Sequence, residues 1–169
     1  MYKVGDLLIY STYGICRVVD ICKKPSLQGE RLCYVLRPIS DTNLTINTPV
    51  DNDKVQMFDL IDRNTAERVL ESFKLPGIRW IRDARKRNRE YNALIETGNR
   101  FVIAGILNTL MRKEQELAQQ RKKLHIQDRK LMIRIKKILF NELAMVLETT
   151  YHRIEQVVWA LVDDAAGED

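Results

Sequence analysis

The stretch "NTAERVLESF", residues 64–73, is where the chain changes character. Asn64 reads as an N-cap with Glu67 three residues on, a capping-box arrangement, and Val69, Leu70 and Phe73 follow at helical spacing. Upstream the pattern has a different period. "LLIY", "GICRVVDI", "RLCYVLRPI" and "LTINTPV" are short runs rich in Val, Ile, Leu, Tyr and Thr. They are separated by "STYG" (11–14), "KKPSLQGE" (23–30) and "SDTN" (40–43), whose Gly, Pro, Asn and Asp supply turn geometries. These runs predict a small antiparallel β-barrel over residues 1–60.

Downstream everything reads as helix. Residues 61–75 are expected as a linker with the short helix, after which Pro76-Gly77 breaks that helix and opens the next, running to a C-cap at Gly98. "RFVIAGILNTLMRKEQELAQQ", "QDRKLMIRIKKILFNELAMVLE" and "YHRIEQVVWALV" supply three more helices, and the tail "VDDAAGED" is expected to fray. The fold class is α+β: an N-terminal β domain, then an all-α helical bundle over 76–165.

With 169 residues, 45% hydrophobic and 30% charged, the chain can bury an ordinary core. No apolar run reaches the length of a membrane span, and no signal peptide is read at the start, so a cytoplasmic protein is expected. Cys16, Cys22 and Cys33 sit in apolar strand-like segments without C-x-x-C spacing and read as small buried hydrophobes. His125 and His152 lie far apart, and no phosphate loop or metal-ligand spacing occurs. Neither an enzyme nor a cofactor or metal site is expected.

Charge is unevenly spread. Residues 1–75 are neutral overall, residues 76–137 hold 17 Lys/Arg against 6 Asp/Glu for a net +11, and residues 138–169 carry net −6. Such a middle segment calls for a polyanion. If residues 76–98 form one helix, Arg79, Arg82, Arg85, Lys86 and Arg89 share a face, a stripe of like charges that a phosphate backbone would relieve. In the fourth helix Arg129, Lys130, Arg134, Lys136 and Lys137 occupy one half and Leu131, Met132, Ile135, Ile138, Leu139 and Leu143 the other. Together with Arg121, Lys122 and Lys123, the basic half makes a second phosphate surface, and the two surfaces are read as having no compensating acids. Trp80 has two readings from its position. The wheel puts it with Ala84, Tyr91, Leu94 and Ile95, as a core residue; its place in the first turn after Pro76-Gly77 would let it project and stay exposed.

The order of several motifs resembles the bacterial CarD/CdnL transcription regulators, whose first domain is shared with the transcription-repair coupling factor. "YKVGDLLIYSTYGICRVVDI" is similar to that family's opening K-V-G-D-x-V-V-Y-P-x-H-G-V-G-x-V-x-x-I, and "LTINTPVDNDKV" to its L-T-x-x-V-P strand and turn. "ETGNRFVIAGILNTLMRKE" and "RKLMIRIKKILFNELAMVL" resemble its two later helical segments. The resemblance implies a Tudor-like or SH3-like barrel that docks on the RNA polymerase β subunit by sheet-edge pairing, here through Ser26, Leu27, Leu44, Thr45, Ile46 and Asn47. Asn47 stands where family members often carry a basic residue. It also implies a helical domain that contacts promoter DNA at the upstream edge of the transcription bubble and alters open-complex stability. There Trp80 matches a wedge position, Arg82 and Arg85 follow it as phosphate contacts, and Arg129 opens the later helix, with Arg79, Lys86, Arg89, Lys130 and Arg134 alongside. Partners are then the polymerase β subunit and promoter DNA, without a membrane, on the bacterial nucleoid, with a monomer favoured over a dimer. The competing reading is a non-catalytic adaptor whose basic helices do not bind DNA.

Overall fold

The computed structural model describes residues 1–167, which divide into two compact units, Met1–Leu60 and the chain from Ile61 onward. The first unit is one antiparallel sheet of β1 (Leu7–Tyr10), β2 (Gly14–Ser26), β3 (Gly29–Pro38), β4 (Ile46–Pro49) and β5 (Met57–Asp59), in the order β4-β3-β2-β1-β5. Helices make up the second unit, so the class is α+β, as the change of period at residue 60 predicts. The sheet is not closed into a barrel; its ladder ends on β4 and β5.

Alternation along the strands puts Leu8, Tyr10, Cys16, Val18, Tyr34 and Leu36 in one cluster. Tyr34 adds an anchor, its hydroxyl accepting from the backbone N–H of Tyr2 at 3.0 Å. Cys16 is fully buried there, and burial pushes its thiol up to about 11, consistent with a small hydrophobe. The expected loop "KKPSLQGE" is instead mostly strand. Lys24 pairs with Arg31, Pro25 with Glu30 and Ser26 with Gly29, leaving Leu27-Gln28 as a two-residue turn. Gly29, at φ +105°, supplies the conformation that turn needs. Pro25 lies beyond β1, whose pairing with β2 stops at Arg17, so its missing donor costs no ladder bond on that side. The short strand β5 carries no sequence signal of its own.

The second unit comprises α1 (Arg63–Glu71), a single 3-10 turn at Ser72–Lys74, α2 (Ala84–Glu96), α3 (Arg100–Gln119), α4 (Ile126–Val146) and α5 (Tyr151–Ala166). Asp62, not Asn64, caps α1: its extended backbone precedes the first turn, and its carboxylate accepts from Thr65 N–H at 2.7 Å. That bond holds its carboxyl below the usual range. The segment 61–75, expected as a linker, contributes Ala66, Val69 and Phe73 to the unit's core. From α4, Leu131, Met132, Ile135, Leu139 and Leu143 join them, on the half that the helical wheel selects. The helix α5 runs on to Ala166, so Asp163 and Asp164 are helical rather than frayed, and Asp163 accepts from Gln115 of α3 at 2.7 Å. The last two residues of the acidic tail lie outside the described residues.

Candidate nucleic-acid interface

The largest departure from expectation lies between the 3-10 turn and α2. Residues 75–83 are extended or bent, not helical, and α2 begins only at Ala84, capped by Asp83 through Lys86 N–H at 2.7 Å. Leu75, which precedes Pro76, has the extended backbone that a following proline imposes. The rest of the segment is held by side chains from elsewhere. Asn108 donates to the carbonyls of Phe73 (3.3 Å) and Leu75 (2.7 Å). Thr109 accepts from Ile78 N–H at 2.7 Å. The Tyr91 hydroxyl donates to Arg79 O at 2.9 Å, and Arg87 Nη1 donates to Ile81 O (2.6 Å) and Arg82 O (3.2 Å). Burial pushes the Tyr91 phenol up, keeping it a donor. A segment with no ladder of its own thus has most of its carbonyls satisfied.

Arg79 and Arg82 therefore do not share a helical stripe with Arg85, Lys86 and Arg89, although all five are exposed. Only the last three lie on α2, on its outer face. The intervening Arg87 is 3% exposed and ion-paired with Asp128, itself 2% exposed, on α4. Nor are acids missing: Glu90 is 3.7 Å from Lys86.

Trp80 falls between its two readings. It is half-buried and packs against the core of the second unit, and the Arg87 guanidinium lies 4.0 Å from its ring centroid and the Lys113 ammonium 5.3 Å. In α4, Arg129, Lys130, Arg134 and Lys137 are exposed as expected, interspersed with exposed Ile126 and Ile133. Arg134 donates to Asn92 of α2 at 2.6 Å, linking the two basic helices. Lys136 departs from the predicted stripe, being half-buried and paired with Glu155 of α5 at 2.6 Å. A cleft of about 680 Å³ opens where α2 and α4 begin, lined by Arg85, Asn88, His125 and Gln127 among others. His125 caps α4, its Nδ1 accepting from Gln127 N–H at 3.3 Å, which fits a helix-entry role. Arg121, with Lys122 and Lys123 exposed beside it, ends α3 in a left-handed conformation, φ 58°.

In the first unit the residues assigned to polymerase contact form two patches. Ser26 and Leu27 sit at the tip of the β2–β3 hairpin, where Leu27 is fully exposed. Ile46 and Asn47 open the edge strand β4, with Leu44 and Thr45 just before it. Ile46 pairs with Leu36, so seven residues of β3, roughly 23 Å at 3.3 Å per residue, separate that pair from Gly29 at the tip.

Sequence reasoning missed Arg87, Asp128, Tyr91, Asn108 and Thr109 as a group. The available signals were faint. Arg87 precedes Tyr91 by one turn, and Asp128 is a lone acid in the first turn of a basic helix. Among the described residues, no cluster of His, Cys, Asp and Glu is placed to hold a metal, and no helix is long and apolar enough to cross a membrane.

Two family models match the chain. Residues 2–61 match the CarD-like/TRCF RID domain, and residues 68–159 match the CarD C-terminal domain. No curated protein matches it significantly.

Proposed function

The chain belongs to the CarD-like family of RNA polymerase-interacting transcription regulators, and we propose that it joins the polymerase β subunit to promoter DNA at the upstream edge of the transcription bubble. The first unit docks on the β subunit through a strand edge, where main-chain hydrogen bonds supply affinity. In the second unit, Trp80 meets a distorted base step while Arg79, Arg82, Arg85, Lys86 and Arg89 hold phosphates, with Arg129, Lys130 and Arg134 on α4 as a second contact. Phosphate contacts position the protein, and the aromatic side chain acts on the unstacked step. The result is a changed open-complex stability, exerted on the nucleoid and without catalysis.

The observation that carries this reading is the clamped segment 75–83, which brings Trp80 to the second unit's surface only half-covered, between exposed Arg79 and Arg82. Open-complex half-life on a melted promoter template, with and without the protein, tests it. Trp80→Ala is expected to remove the protein's effect on half-life, whereas Arg82→Ala and Arg85→Ala weaken duplex binding across sequences alike. Binding by the second unit should fall steeply with salt, the log–log slope gaining roughly −0.9 per phosphate neutralised. Affinity that stays constant between low and physiological salt would favour the adaptor reading.

A further inference from the structure

Between residues 79 and 89 the chain carries six cations, and five of them are exposed. Arg87 is the exception, and every polar edge of its guanidinium is used. Nε and Nη2 donate to the two carboxylate oxygens of Asp128, at 2.9 and 2.5 Å. Nη1 reaches the carbonyls of Ile81 and Arg82, and the group lies over the Trp80 ring. Burying a charge in a small unit is costly, and a fork-shaped cation can offset that cost by bonding in several directions at once. Two of those directions point at the residues that follow Trp80. The third element is α4, because Asp128 stands in its first turn.

We infer that Arg87 and Asp128 are the positioning pair of this surface: they fix where Trp80 and Arg82 stand relative to α2 and α4, and so hold the two basic surfaces in register for one nucleic-acid ligand. This rests on the reading of Trp80 as a DNA contact. Lys113, the other cation near the ring, differs in kind. Its ammonium pairs with Glu116 on its own helix at 3.1 Å, so it covers the indole without tying the segment to a second helix.

The experiment uses the full chain with Trp159→Phe, which leaves Trp80 as the single indole of the two in the sequence. In that background Arg87→Lys keeps the charge but replaces the fork by one nitrogen. Acrylamide quenching of Trp80 is expected to rise about twofold or more, and affinity for a forked DNA to fall about tenfold, close to the loss with Trp80→Ala; duplex affinity, through the released Arg82, should fall less, by about threefold. Lys113→Ala should leave fork affinity within about twofold. A folded Arg87→Lys protein with parental quenching and fork affinity overturns the inference. Should that variant not fold, the unsubstituted protein decides by NMR: slow exchange of the Arg87 Nε proton, persisting when forked DNA is added, is expected, and fast exchange overturns it. If Trp80→Ala leaves fork affinity unchanged, the DNA reading falls, while the quenching and exchange measurements still judge the positioning pair.

Discussion

The β2–β3 hairpin tip and the segment 75–83 are both surface stretches, yet their conformations are held in opposite ways. At the hairpin, order comes from neighbours: Lys24 with Arg31, Pro25 with Glu30, Ser26 with Gly29, each pair within seven residues. In segment 75–83 the bonds come from Tyr91 and Arg87, and from Asn108 and Thr109 some thirty residues on. One conformation survives as long as its own strand pair does. The other exists only when α2 and α3 are packed, and a local ladder tolerates change that a tertiary clamp does not.

Glycine substitutions separate the two cases most strongly. A Cβ on Gly77 would stand 2.0 Å from Thr109 Oγ1 and 2.8 Å from Thr109 N, against the helix backbone that clamps the segment. Gly77→Ala is expected to destabilise the second unit by about 3 kcal/mol or more through overpacking. At Gly29 a Cβ would meet nothing within 4 Å, and only its φ of +105° resists the change. Gly29→Ala should cost the first unit about 1 kcal/mol. Chemical unfolding monitored in both units checks this, and equal costs would erase the contrast between clamp and ladder.

That contrast also explains what was legible. The start of α3 at Arg100, the end of α2 at the left-handed Gly98 and the apolar half of α4 depend on residues within a turn or two, and the sequence carries them. The beginning of α2 does not. Pro76-Gly77 is a good helix opening by local chemistry, but the hydroxyl of Tyr91 and the guanidinium of Arg87 draw the next residues into an extended path, and Asp83 becomes the cap. For the same reason the wheel placed Arg79 and Arg82 on a stripe that does not exist. Arg87 carries no signal of a structural role in its own neighbourhood, because its neutralising partner, Asp128, is 41 residues away. Within the hairpin, Pro25 and Gly29 signalled a turn correctly, but the pairing that carries the strands up to it extends beyond any alternation in the residues.

Trp80→Ala probes the clamped segment from its outer side. A fully buried tryptophan would cost about 3–5 kcal/mol and a free wedge almost nothing. Because Trp80 packs on the core with one part covered and another open, about 2 kcal/mol is expected by thermal unfolding. A loss as large as the buried case would mean that the segment depends on the indole more than on its hydrogen bonds.

The first unit offers a comparison of its own, between the hairpin tip and the β4 edge, two patches too far apart to be one strand edge. Sheet-edge pairing uses main-chain groups, so Thr45→Pro, just before β4, should weaken binding to the polymerase β lobe about tenfold. Leu27→Asp should weaken it about threefold while changing stability by less than ~0.5 kcal/mol. A larger effect at Leu27 than at Thr45 would move the docking site to the hairpin tip, and no effect at either would remove both from it.

The smallest expected effect sharpens the local extreme, where a few residues alone settle a conformation. The ends of α3 and α4 share one geometry: Lys122 N–H donates to Leu117 O and Arg121 N–H to Ala118 O, as Thr149 N–H does to Ala144 O and Glu148 N–H to Met145 O. Both motifs require a left-handed residue. Gly98 fills that place after α2 at no steric cost, whereas Arg121 (φ 58°) and Glu148 (φ 56°) fill it with side chains that resist it. Arg121→Gly and Glu148→Gly should therefore each stabilise the second unit by about 1 kcal/mol. They part company on DNA. If Arg121, beside Lys122 and Lys123, holds a phosphate, its loss reduces the salt slope of binding by about one, and Glu148→Gly leaves that slope as it was. Equal stabilisation with an unchanged slope in both variants would confine Arg121 to ending a helix, and would withdraw the α3–α4 connection from the nucleic-acid surface while leaving the Trp80 segment untouched.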